Sequence, residues 1–280
     1  MHVIRVATQN IWRFHDGWEA RRPVLQAGFR ALEPDVVGFA EAIVTSDYDQ
    51  ARDVLGQGWH LAHQQQREHD GSGVSIASRW PIGEVRELGR GETRPHRHDF
   101  NAGTLAAEIL APEPLGRLIY VNHIPSWQKD RELERERQTV AAARLVEKMV
   151  DGRPAHVVLA GDLDAEPESA SIRFLRGLQS LDGTSVCYRD AWEAAHPGEP
   201  GHTFTPENPN VPTGEKGSWA LEPGRRIDYV FVRCSDHGPT LDVRSCERLF
   251  DAPVDGVWGS DHFGVTAELS CLLPDGRPVP

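Results

Sequence analysis

The sequence predicts an α/β or α+β sandwich, in which sheets are covered by helices. Two observations carry this. Short β-favouring apolar runs recur along the whole chain, and between them lie a few segments whose apolar residues fall at helical spacing. A third sets the scale: 280 residues with 39% hydrophobic content suffice for a substantial core and exclude disorder as the dominant state. With no 20–50-residue repeat and no low-complexity linker, residues 1–272 read as one domain followed by a tail, 273–280.

Taken in order, Val3 to Ala7 is the first expected strand, and Glu19 to Leu32 a helix with Val24, Leu25, Phe29 and Leu32 on one face. Pro34-Asp35 stops that helix before a second strand, Val36 to Ala40. Further strands are expected at Gly73 to Ala77, Thr104 to Leu110, Leu118 to Asn122, His156 to Ala160, Asp228 to Val232 and Gly264 to Leu269. The clearest helix is Asp130 to Val150, with a stripe of Leu133, Val140, Ala141, Leu145 and Met149 opposite Arg131, Glu134, Arg135 and Glu147. A second long helix is expected over Glu168 to Gln179. The Pro/Gly-rich stretches 112–114, 198–201 and 206–217 read as loops.

Charge and cysteine usage bound the function. Thirty basic against 42 acidic residues give a formal charge of −12, which repels duplex nucleic acid and anionic membranes unless a local patch intervenes. No run of about 18 apolar residues occurs, and Met1 to Asn10 lacks the apolar core of a signal peptide, so a soluble, cytoplasmic protein is expected. Cys187, Cys234, Cys246 and Cys271 lie far apart with no C-x-x-C pair, which argues for reduced, structural thiols and against both a zinc knuckle and a redox motif. The only lysines are Lys129, Lys148 and Lys216, an arginine bias typical of a GC-rich bacterial genome.

The chemistry is concentrated at strand ends. The first strand leads to Asn10, the second to Glu41, the third of this set to Asn122-His123, and the His156 strand to Gly161-Asp162-Leu163-Asp164; Asp228 opens a strand and Asp261-His262 precedes another. Strand ends line the crevices of sheet proteins, so these groups can converge on one acidic pocket with two imidazoles. Each taken singly is equally a turn former, an N-cap or a solvated loop residue. Together they are the inventory of a metal-assisted hydrolase: carboxylate oxygens for Mg²⁺ or Mn²⁺, and a histidine that moves a proton.

Six segments in order, Thr8-Gln9-Asn10-Ile11-Trp12, Gly38 to Glu41, Val121 to Ile124, Ala160 to Pro167, Arg226 to Phe231 and Gly259 to Val265, resemble the endonuclease/exonuclease/phosphatase superfamily over about residues 3–270. The resemblance implies a four-layer α/β sandwich of two packed mixed β-sheets flanked by helices, with the site at one rim. It implies metal ligation by Glu41, supported by Asn10 and Asp261. His262 is similar to the family's general base, Asp228 to the carboxylate that orients it, His123 to a histidine that bonds a phosphate oxygen or the leaving group, and Asp162 to the residue that positions or deprotonates the attacking water. Whether Asp162 or His262 takes that proton stays open.

One position departs from the family's Gly-Asp-x-Asn pattern: Asp164 stands where Asn is expected, which removes a hydrogen-bond donor and adds charge. A divalent cation near Asp164, a protonated Asp164, or an unusual substrate would each compensate. Substrate contacts are expected from Asp164, Asn122, Trp12, Trp127 and Arg226, with Arg225, Trp219, the 201–206 loop and the basic segment Arg90 to His98 as further candidates. The expected activity is divalent-metal-dependent hydrolysis of a small phosphoester or a lipid or sugar phosphate. The alternatives are a nuclease, an enzyme acting on a nonphosphate metabolite, and a noncatalytic binding module.

Overall fold

A computed structural model describes residues 3–15, 17–88, 103–211 and 223–271. The basic segment Arg90 to His98, Trp219 and the tail 273–280 lie outside the described residues. The elements follow in the order β1 (Val3–Asn10), α1 (Trp18–Leu32), β2 (Val36–Ile43), α2 (Gln50–Leu55), β3 (His60–His63), β4 (Ser72–Ser78), β5 (Ile82–Leu88), β6 (Gly103–Leu110), β7 (Arg117–Ile124), α3 (Glu132–Val150), β8 (His156–Asp162), α4 (Ala170–Leu175), β9 (Tyr188–Asp190), α5 (Ala191–Ala195), β10 (Asp228–Ser235), β11 (Gly238–Pro239), β12 (Leu241–Leu249) and β13 (Gly264–Cys271).

The strands form two mixed sheets. One has the order β12-β13-β1-β2-β4-β3; the other runs β11-β10-β8-β7-β6-β5, with β9 paired to β10. Each contains one parallel pair, β1 with β2 and β7 with β8, and every other pairing is antiparallel. A parallel pair needs a crossover, and α1 and α3 supply the two.

Strand alternation then builds four layers. Ile4, Val6 and Val36 of the first sheet meet Leu118, Tyr120, Val158 and Val230 of the second in a shared inner core. The alternate residues point outward: Ala7, Val37 and Phe39 pack on Leu25 and Phe29 of α1 and on α2, while Ile119, Val121, Val157, Leu159 and Phe231 pack on α3 and α4. The fold is therefore a four-layer α/β sandwich, helices outside and sheets face to face. Tyr120 ties the sheets together, its hydroxyl donating across the core to the Ala7 carbonyl at 2.7 Å.

Three expectations need correction. The segment 168–179 holds only a six-residue helix, because the chain turns at Gly177, whose φ of 75° is the left-handed conformation that ends helices. In α3 the expected stripe fails at its first turn. Leu133 is 57% exposed while Glu134 and Arg135 are buried. Those two side chains do not face the sheet. Arg135 donates to the carbonyls of Ser126 and Gln128, and Glu134 accepts from the Ser126 hydroxyl, so the helix start fastens the loop that carries Trp127. Finally, β3, β5, β9, β11 and β12 and the short helices α2 and α5 lie outside the expected elements; β3, β5, β11 and β12 are sheet-edge strands with no continuous apolar run.

Candidate active site

Pairing register collects the strand ends at one rim. In the second sheet Asp228, the first residue of β10, stands opposite Asp162, the last of β8. In the first sheet Asn10, at the end of β1, pairs with Ala40 beside Glu41. The loop ahead of β13 brings Asp261 and His262 to the same rim, because β13 runs antiparallel to β1 with Val265 opposite Thr8. Gly161 permits this convergence: its φ is 144°, and a Cβ there would sit 2.1 Å from the His123 carbonyl oxygen.

His262 is the centre of the arrangement. Its Nδ1 lies 3.0 Å from Asp228 Oδ2 and its Nε2 3.7 Å from Asp162 Oδ2, with all three residues buried. Burial alone would depress the imidazole pKa, but the carboxylates of Asp228, Asp162 and Asp261 outweigh it and hold His262 well above its ordinary value. Asp162 is oriented through both oxygens: Oδ1 accepts the Asp164 amide at 3.2 Å, and Oδ2 accepts Asn10 Nδ2 at 3.0 Å. Burial pushes Asp162 up to about 6, with His262 opposing the rise.

The cleft in front of this group has a volume of about 320 Å³, in the range of small-ligand sites. Glu41, Asp162, Asp164, Asp261 and His262 line it together with Arg13, Arg225 and the rings of Trp12, Trp127 and Phe204. Glu41 arrives by a β-bulge. Pairing of β2 with β4 shifts between Phe39 and Ala42, and Glu41 adopts φ 56°, which re-aims a side chain that regular alternation would have placed elsewhere. Trp12, Arg13 and Asp164 also have positive φ, of 60°, 49° and 49°. Such backbone is costly away from glycine and gathers where function demands a fixed geometry.

The acids crowd one another. Burial pushes Asp261 up to about 7, with Glu41 among the groups adding to the rise, and burial together with Asp162 raises Asp164 well above the usual carboxylate range. Asp228 Oδ1 is buried with no hydrogen-bond partner. Among the described residues, Asp162, Asp228 and His262 each present a ligand atom within 4.8 Å of the others. A cleft of hard oxygen donors that still repel one another, with Asp162, Asp164 and Asp261 all raised despite His262, suits a divalent cation, so the residues present fit one.

Several expected site residues lie elsewhere. Asn122 is inside β7, not at its end; its amide points between the sheets and donates to the carbonyls of Phe39 (2.9 Å) and Ser75 (3.1 Å). His123 is 1% exposed and outside the cleft lining, with Nδ1 2.8 Å from Thr104 Oγ1 and Nε2 3.5 Å from Thr139 Oγ1. Burial lowers its pKa to about 4, so it stays neutral. Arg226 is buried against Asp190, with Nη1 2.8 Å from Oδ2, and its neighbour Arg225 lines the cleft in its place. Asn10 and Asp228 stand behind the lining: Asn10 bridges Asp162 and the Trp12 amide, and Asp228 backs His262.

Other residues organise the site; Ser260 and Thr203 lie in segments the sequence marks, whereas Arg21 and Arg13 carry no signal of their own. Arg21 of α1 is 2% exposed, and its guanidinium donates to the carbonyls of Ile11, Trp12, Arg13, His15 and Gly259, fixing the loop that carries the Trp12 wall. Ser260 Oγ lies 2.7 Å from the Asn10 carbonyl and 3.2 Å from Asp261 Oδ1, and it accepts the His262 amide. Thr203 Oγ1 accepts the amides of Ile227 and Asp228 at 3.1 Å each. Arg13 pairs with Glu41 at 3.2 Å and with Asp70 at 3.0 Å.

Comparison with known proteins decides the family. The model of the Endonuclease/Exonuclease/phosphatase family matches residues 7–262. The chain belongs to this family. Its members are metal-dependent phosphoester hydrolases, and the chain is an enzyme of that class. Solved structures share the fold at low identity. D. rerio TDP2 complexed with single strand DNA product superposes with a TM-score of 0.74 at 19% identity, over 96% of this chain and 100% of that one. The human Nocturnin catalytic domain with bound sulfate anion gives 0.70 and 17%, over 96% and 94%. The Bacteroides thetaiotaomicron mannosyl-6-phosphatase gives 0.71 and 16%, over 95% and 99%. A search of curated proteins returns no significant sequence match.

Proposed function

We propose that this member of the family hydrolyses a small anionic phosphoester with the help of Mg²⁺ or Mn²⁺, through one domain spanning residues 1–272. The observation that carries the reading is His262, held between Asp228 and Asp162 on the wall of a 320 Å³ cleft that Glu41 and Asp261 also line.

Glu41 and Asp261 would hold the cation, with Asp162 and Asp164 at its edge. The cation, when bound, supplies charge neutralisation for the phosphoryl oxygens and the leaving oxygen. Asn10 contributes by fixing Asp162, since its amide nitrogen donates to that carboxylate and its oxygen accepts the Trp12 amide. Asp228 accepts from Nδ1 of His262, which orients the ring and stabilises its charged form. Nε2 lies 3.7 Å from the Asp162 carboxylate, beyond hydrogen-bond distance, and the carboxylates of Asp228, Asp162 and Asp261 favour the protonated imidazole. Charged His262 then faces the phosphoryl group as a donor, and Asp162 accepts the proton of the attacking water. Arg13 and Arg225 add positive potential to the lining, and Trp12, Trp127 and Phe204 offer apolar walls to the organic part of the ester.

Size and charge favour a small ester over duplex nucleic acid: the lining is acidic before a cation binds, and the chain carries a net charge of −12. The test is a panel of nitrophenyl phosphate, bis-nitrophenyl phosphate and a single-stranded oligonucleotide, each with Mg²⁺, Mn²⁺ or chelator. Metal-dependent nitrophenol release that outpaces oligonucleotide cleavage is expected. Faster cleavage of the oligonucleotide would replace the small-ester reading with a nuclease, and release unaffected by chelator would contradict both.

A further inference from the structure

Two of the four cysteines meet at an edge far from the cleft. Pairing of β9 with β10 places Phe231 opposite Asp190, Val232 opposite Arg189 and Arg233 opposite Tyr188. Continued by one step, the ladder sets Cys234 opposite Cys187, and the Cys234 amide does donate to the Cys187 carbonyl at 2.8 Å. Directly opposed residues of an antiparallel pair project to the same face. At a position with that hydrogen bond their Cα atoms stand about 5.5 Å apart, inside the span a disulfide bridges.

We propose that Cys187 and Cys234 form a modification site, a reversible cross-strand disulfide made by thiol–disulfide exchange with a small disulfide oxidant such as oxidised glutathione. Cys187 is exposed and Cys234 partly so, whereas Cys246 and Cys271 are buried in β12 and β13 and face other partners, with Cys246 opposite Ala267 and Cys271 opposite Leu241. Burial and the adjoining Cys187 thiol push Cys234 up to about 11, so Cys187 is the entry point. Its thiolate attacks one sulfur of the oxidant and expels one thiolate, leaving a mixed disulfide on Cys187. Cys234, losing its proton to solvent, then attacks the Cys187 sulfur and expels the second thiolate. One S–S bond is broken and one made; the two cysteines are oxidised by two electrons, and the oxidant leaves as two thiols. The bond would clamp β9, the strand that presents Asp190 to Arg226, onto β10, whose far end carries Asp228.

The experiment treats the native chain with oxidised glutathione, blocks remaining thiols with an alkylating agent and maps linked peptides by mass. Expected are loss of two alkylation sites, a peptide pair joined through Cys187 and Cys234, and a melting temperature about 4 °C or more higher that dithiothreitol reverses. Turnover should be unchanged. In Cys234→Ser the reaction should stop at a glutathione adduct on Cys187, and in Cys187→Ser no linked pair should form. A wild-type chain that keeps four alkylatable thiols, retains glutathione on Cys187, or links through Cys246 or Cys271 overturns the proposal.

Discussion

Asp164 stands where the family resemblance implies Asn, whose amide could donate a hydrogen bond. Its side chain lines the cleft beside Asp162, and burial with that neighbouring charge drives its carboxyl towards the protonated form, whose O–H can donate. We infer protonation as the compensation to test first, with a divalent cation held near Asp164 as its rival. Asp164→Asn should therefore keep turnover within about threefold, while Asp164→Ala, which removes one hydrogen bond, should lose about tenfold. Steady-state kinetics on the best small ester would check this; an inactive Asn variant would show that the carboxylate itself is needed, as a ligand. At this scale the sequence is most informative where a polar residue closes or opens a strand, as Asp162 and Asp228 do; Glu41 reaches the cleft from inside β2 through its bulge. The sequence misled at Asn122 and His123. The reading assumed that the strand stops where polarity begins, whereas β7 runs on to Ile124 and turns both side chains towards protein partners.

Among the elements, α1 illustrates how a helix can serve a site it does not line. Its apolar residues Val24, Leu25 and Phe29 pack on the sheet, and that face was legible from spacing. Arg21 was not, because on a surface helix an arginine usually points to solvent; here it satisfies five carbonyls that only the folded loop brings together. Arg21→Met keeps the aliphatic stem but orphans those acceptors, so a destabilisation of about 3 kcal/mol is expected in urea unfolding, with activity falling as the Trp12 and Arg13 wall loosens. A loss below about 0.5 kcal/mol would mean that the loop holds itself. The first turn of α3 is a second case. Amphipathic periodicity assigned Leu133 inward, but hydrogen bonds from Arg135 to the 126–128 loop rotate the priorities of that turn.

Across the whole molecule, two sheets of different register contribute to one rim, and the fold's purpose is visible in what it tolerates there: four non-glycine residues with positive φ and several carboxylates in mutual repulsion. The geometry separates residues that line the cleft, such as Glu41, Asp162 and His262, from those behind it, such as Asn10 and Asp228. On the proposed mechanism, metal-assisted hydrolysis in this cleft depends on the Asp228–His262 pair. The most direct test of this dependence is turnover of wild type, His262→Ala and Asp228→Asn at saturating Mg²⁺ or Mn²⁺, with melting curves to verify folding. A fall of about 10³-fold or more is expected for His262→Ala and about 10²-fold or more for Asp228→Asn, with no turnover by wild type in chelator. Wild-type rates in a folded His262→Ala protein would contradict this mechanism.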